Sequence, residues 1–200
     1  MPDGNIVNPY RRKNRHRVVW HAYDGGMYYV TICTKDKEHY LGEIVDGEMN
    51  LSEIGKCLHE QIVKTPEMRK DMNMEIPLFV IMPNHVHLIV IIGDNQYNSD
   101  DKSPMHCRLA MHCEPTEMSC DNVQSQPLNK FAPQSKNLAS VIRGIKISTT
   151  TFARKNGKTF SWQSGFYDHI IRDSAEMNNI SEYIENNVAN WELKMIENSQ

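Results

Sequence analysis

The stretch Ile81–Val90, IMPNHVHLIV, decides how this chain is read. His85 and His87 stand one residue apart inside an otherwise apolar run. Side chains of a strand alternate between its two faces, so both imidazoles leave the same side of the sheet. The residues between and after them, Val86, Leu88 and Val90, turn to the other side and read as core. Two imidazoles on one face suit a surface coincidence, a proton-transfer pair or two ligands of one divalent metal. Two ligands do not complete a metal site, so the others must come from elsewhere in the chain.

Working outward, IPLFVIM (Ile76–Met82) and VHLIVII (Val86–Ile92) read as two central strands joined tightly at Pro83–Asn84. Before them, MYYVTICT (Met27–Thr34) has the β-branched and aromatic content of a strand. Asp46–Gly47 sits between two short extended pieces, which predicts a hairpin. Ser52 can cap a helix to about Thr65, with Ile54, Leu58, Ile62 and Val63 at helical spacing. A second helix is expected over residues 137–156, with Gly157 as its stop. FYDHIIR (Phe166–Arg172) reads as a strand, and Asp173 with Glu176 at capping-box spacing opens a last helix to about Asn187. In that helix Ile180, Ile184 and Trp191 form an apolar stripe, while Tyr183 and Asn187 share one margin.

The order strand, hairpin, helix, two strands, helix, strand, helix predicts an α+β fold with helices packed on one face of a sheet. One domain is expected, made of residues 24–93 and 137–192. A basic arm (residues 1–23) precedes it and a short tail (residues 193–200) follows. Residues 94–136 carry four prolines and no sustained period, which predicts a mobile insertion. That insertion holds His106, Cys107, His112, Cys113 and Cys120, but their spacings match no standard zinc finger.

Bulk properties narrow the function classes. Two hundred residues with 40% hydrophobic and 24% charged content suit an ordinary globular domain. No apolar run approaches the ~20 residues of a membrane helix; the longest clean one is Leu88–Ile92. Five cysteines without a secretory signal point to a reducing, cytoplasmic compartment. The net charge of −3 does not announce a nucleic-acid partner, yet phosphate contacts need only a local basic patch. Arg11, Arg12, Lys13, Arg15 and Arg17 form one such patch. Arg143, Lys146 and Arg154 form a stripe on the second long helix, either a solvated face or a phosphate-contacting one. Trp162 and Phe166 could stack on bases or pack in the core.

MPNHVHLIV resembles the His-hydrophobic-His motif of the HUH nucleases. RRKNRHR, GMYYVTICTKDKEHYLGEI, LASVIRGIKISTTTFAR, WQSGFYDHIIRD and YIENNVANW extend the resemblance to the REP-associated tyrosine transposase group of the single-tyrosine HUH transposases. These blocks cover most of the chain outside residues 94–136. The resemblance implies a ferredoxin-like antiparallel sheet and an enzyme that cleaves and rejoins hairpin-containing single-stranded DNA through a 5′-phosphotyrosine. It implies Tyr183 as nucleophile, with Tyr167 its rival, and His85, His87 and Asn187 as ligands of Mg2+ or Mn2+. It also allows a homodimer. The chain departs from the group at Val188, where a proline often follows the asparagine pair. A non-cutting hairpin-binding protein and a hydrolytic phosphodiesterase are the rival readings.

Overall fold

A computed structural model describes residues 23–98 and 135–191 of the chain. Nine elements order it: β1 (Gly26–Cys33), β2 (Gly42–Val45), β3 (Glu48–Leu51), α1 (Glu53–Met68), β4 (Met74–Met82), β5 (His85–Ile92), α2 (Leu138–Lys155), β6 (Tyr167–Ile171) and α3 (Ser174–Glu185). Four strands form one antiparallel sheet in the order β4-β5-β1-β6. With α1 between β1 and β4, and α2 between β5 and β6, this is the ferredoxin-like order that the sequence suggested. β2 and β3 make a separate hairpin, turning at Asp46 (φ 52°) and Gly47 (φ 80°). Positive φ at both turn residues matches the right-handed twist of the strands.

Strand alternation divides the core in two. Tyr28, Val30 and Ile32 of β1 and Val86, Leu88, Val90 and Ile92 of β5 face α1 and α2. There they meet Ile54, Leu58 and Ile62 of α1 and Leu138, Val141, Ile142 and Ile145 of α2, all buried. Tyr29 and Ile89 turn the other way and pack with Ile171, Ile180 and Ile184. The third helix therefore covers the opposite face of the sheet. The expectation of helices on one face holds for α1 and α2 and is corrected for α3. The cause lies in the sheet: β1, β5 and β6 carry apolar residues on both faces, and α3 supplies the second cover.

Local signals set the element ends. Ser52 Oγ accepts the Gly55 N–H (3.1 Å) at the start of α1. Asn137 and Ser140 cap α2 reciprocally, each side chain accepting the other's backbone N–H. Asp173 accepts the Glu176 N–H (2.8 Å) at α3, but Glu176 departs from the capping-box pattern: its carboxylate accepts from Arg172 N–H (2.8 Å) and pairs with His169. The apolar stripe also ends early. The chain turns at Asn186 before a short helical piece at 187–191, so Trp191 leaves the stripe and packs in neither apolar cluster.

The sequence boundary for the insertion, residues 94–136, falls inside the described fold at both ends. Asn98 is buried and donates to the Asp24 and Gly93 carbonyls. Tyr97 Oη donates to Asp71 (2.8 Å), and the Lys136 ammonium pairs with the same carboxylate while lying 5.1 Å over the Tyr97 ring. The two ends of the insertion thus meet at one clasp. The basic arm Arg11–Arg17, the Cys/His cluster and the tail lie outside the described residues. Among the described residues no helix is long and apolar enough to cross a membrane.

Gly55 tests the packing of α1. A Cβ there would stand 2.0 Å from the Leu41 carbonyl oxygen, a backbone atom that cannot swing aside. Helix propensity alone would make Gly55→Ala stabilising by about 1 kcal/mol. Overpacking typically costs about 1–3 kcal/mol, so the substitution is expected to lower stability instead. Urea denaturation of the variant checks the sign.

Candidate active site around the paired histidines

The imidazoles stand where strand register puts a polar row across the sheet. Val80, His87, Thr31 and Tyr167 are directly paired neighbours running through β4, β5, β1 and β6. The next row, Leu78, Ile89, Tyr29 and His169, leads into the apolar patch under α3. His87 is only 3% exposed, and an imidazole buried so far needs hydrogen-bond partners. Tyr29 Oη (2.8 Å) and Thr31 Oγ1 (2.9 Å) both meet its Nδ1. Tyr29 itself is fully buried, so its hydroxyl serves the histidine and not solvent.

His85 is held by a different device. Its Nδ1 lies 2.6 Å from Asn84 Oδ1, while Asn84 Nδ2 donates to the Lys37 carbonyl (3.2 Å). The second bond fixes which end of the amide faces the histidine. A carbonyl oxygen can only accept, so His85 Nδ1 carries the hydrogen and the lone pair of the neutral ring sits on Nε2. Asn84 is in turn bolted to the strand end, since its own carbonyl accepts from Thr34 N–H and Thr34 Oγ1 (both 2.9 Å). The two rings are 4.6 Å apart, centre to centre.

Tyr183 comes to this pair from α3. Its ring stands 5.6 Å from His87 and 6.3 Å edge-on from Tyr29, and it is partly exposed. Tyr167 packs edge-on against Tyr29 at 6.2 Å, and its hydroxyl oxygen is buried. Asn187, 9% exposed, lies one turn beyond Tyr183, and its Nδ2 donates to the Tyr183 carbonyl (2.9 Å). That bond orients the amide and leaves Oδ1 as the atom with ligand chemistry. Among the described residues no group of three or more His, Cys, Asp or Glu could hold a metal. The two imidazoles stand together on this face, and the Asn187 amide oxygen is the further donor that the resemblance implies. Such a mixed N/O set fits a divalent ion that keeps several solvent or substrate oxygens.

The cationic residues separate. Arg143 and Arg154 are exposed on α2, on the α1/α2 side of the sheet and away from the histidines. Lys146 is not on a solvated face: its ammonium donates to the Gln163 (2.8 Å) and Gly165 (2.9 Å) carbonyls, and burial pushes its pKa below the ordinary value. Trp162 packs on Phe160 and donates Nε1–H to the Lys146 carbonyl, and Phe166 packs against the larger core, so both serve packing. Missing from the sequence reading are Tyr29, Thr31, Asn84 and His39. Thr31 and Tyr29 could have been found from strand pairing, which a single strand pattern does not encode.

The helix that presents Tyr183 is held at its start by charge. His169 Nε2 lies 2.6 Å from Glu176 Oε1. Burial pushes the Glu176 carboxyl up, but the hydrogen bonds from His169 and the Arg172 N–H, with the nearby His169 and Arg172 charges, bring it below its ordinary 4.5. A carboxylate depressed in the folded state contributes stability that is fully present above its unfolded value and is lost as pH falls through the folded one. Stability should therefore fall below about pH 4.5 in part through Glu176. Denaturation midpoints measured from pH 6 to 3, in steps of about one unit, should fall less steeply for Glu176→Gln than for the wild type.

No family model matches the sequence. A protein of Haemophilus influenzae strain Rd, itself uncharacterized, is 33% identical over 172 residues, spanning 84% of this chain and 82% of that protein. Among solved structures, the REP-associated tyrosine transposase bound to a REP hairpin is similar over 90% of this chain and 73% of its own, with a TM-score of 0.50 and 18% identity. A Deinococcus radiodurans protein described as a transposase covers 88% of this chain and 97% of its own at 12% identity; its TM-score of 0.38 is too low to carry weight. This chain belongs to one family with the Haemophilus influenzae protein, and its fold is that of the REP-associated tyrosine transposase.

Proposed function

We propose that this protein is a single-tyrosine transposase that cleaves and rejoins hairpin-containing single-stranded DNA, with Tyr183 as nucleophile. The observation that carries the reading is the approach of the Tyr183 ring to His87, which itself stands beside His85 on that face of the sheet; Asn187 lies one turn further along the chain, bonded to the Tyr183 carbonyl. The alternatives for the attacking group are worse placed. Tyr29 spends its hydroxyl on His87, and the Tyr167 hydroxyl oxygen is buried. Tyr183 is partly exposed, anchored by the core on one side and open to a ligand on the other.

In the reaction the Tyr183 oxygen forms a bond to phosphorus as the bond to the 3′ oxygen breaks. The phenolic proton is lost and the departing 3′ oxygen gains one. The new phosphotyrosine keeps the energy of the phosphodiester, so the reverse attack by a 3′-hydroxyl rejoins strands without a further energy source. His85, His87 and Asn187 would hold a divalent cation, Mg2+ or Mn2+, whose Lewis acidity offsets the charge building on the phosphate oxygens. The protein's part is positional. Asn84 keeps the Nε2 lone pair of His85 available, while Tyr29 and Thr31 hold the His87 ring still.

Arg143 and Arg154, exposed on α2, and the arginine cluster Arg11–Arg17 are the residues we assign to the DNA backbone. Lys146 has one ammonium hydrogen left for such a contact. The test is a denaturing protein gel of labelled hairpin oligonucleotides from the DNA flanking the gene. Wild type with Mn2+ should give a labelled band at the protein's mass; Tyr183→Phe and EDTA-treated protein should give none. Free cleaved strands without an adduct would mean hydrolysis. Hairpin retention without either product, at any metal concentration, would make the protein a binder.

A further inference from the structure

We infer that Trp191 and His39 form a stacking site for one unpaired nucleobase beside the paired histidines. The inference rests on the nucleic-acid reading above and adds to it where a base, as opposed to the phosphate, is held. The Trp191 ring lies 5.8 Å from His85, tilted by 41°, and 5.7 Å from His39 at 62°. His39 is exposed in the loop after β1, and Trp191 is partly exposed at the end of the described chain. Three elements distant in sequence thus bring an aromatic row to the margin of the candidate site.

Trp191 has no place in the apolar packing. It belongs to neither of the clusters that sandwich the sheet, although a tryptophan can bury about 150–250 Å2. A large ring set against two imidazoles at the margin of the site offers a π-face to a planar ligand. A purine or pyrimidine next to the scissile phosphate is such a ligand, and stacking tolerates any base. His39 does not act as a further metal ligand here, since it reaches the histidine pair through the Trp191 ring and no three-member group forms among the described residues. The turn at Asn186 creates the arrangement: an unbroken α3 would carry Trp191 along the Ile180 and Ile184 stripe.

The experiment measures binding of a fluorescent hairpin oligonucleotide with single-stranded flanks, in the Tyr183→Phe background so that cleavage does not intervene. Each unpaired nucleotide is replaced singly by an abasic one. One abasic position should weaken binding about tenfold for this parent. Trp191→Ala should weaken binding of the intact oligonucleotide by a similar factor and be indifferent to that abasic position. Trp191→Phe should keep most of the sensitivity, and His39→Ala should lose part of it; both rings lie outside the core, and circular dichroism checks that each variant is folded. If the parent binds but Trp191→Ala binds equally well, or stays as sensitive to every abasic position, the stacking site is overturned and the proposed function stands. Absence of any hairpin binding by the parent overturns both.

Discussion

A buried imidazole at the middle of a sheet is the constraint from which the rest of the site follows. His87 cannot sit among β1, β4, β5 and α3 without a partner for its Nδ1, because an unsatisfied polar group in such a place costs about 1–3 kcal/mol. Tyr29 and Thr31 meet that need from the neighbouring strand, and in doing so they fix the ring. Because Tyr29 is also the apolar floor beneath α3, the hydrogen bond that satisfies His87 is continuous with the packing that holds the helix of Tyr183. Stability and chemistry share one side chain.

The third helix shows the same economy. Twelve residues is a length at which an isolated helix is marginal in water. Ile180 and Ile184 dock it on Tyr29 and Ile89, while Asp173, Glu176 and His169 tie its first turn to β6. Both sets of contacts lie on the face opposite α1 and α2. The larger core therefore supports the sheet from the other side, and the face with the candidate site is covered by one short helix.

Much of this was legible in the sequence, for physical reasons. Period-two alternation in IMPNHVHLIV placed both histidines on one face, and the caps Ser52 and Asp173 marked two helix starts correctly. Tyr183 and Asn187, four residues apart, do lie together. What failed was what depends on the other side of a contact. Alternating patterns say that a strand has two faces but not which helix covers each, so α3 was assigned to the wrong one. Helical periodicity carried Trp191 along the stripe because no Gly or Pro marks the turn at Asn186. Lys146 reads as a surface cation from spacing alone; only the fold brings the Gln163 and Gly165 carbonyls to it.

The clasp of Tyr97, Asp71 and Lys136 has a consequence for how such a chain can vary. With both ends of the intervening segment pinned at one carboxylate, the sheet and its helices are indifferent to what connects them. Closing a longer connection adds only about 0.6 kcal/mol for each doubling of its length. The sheet with its helices and the segment between residues 98 and 135 are therefore separable in inheritance: one can be exchanged, shortened or replaced by foreign sequence while the register of β1, β5 and β6 stays as it is.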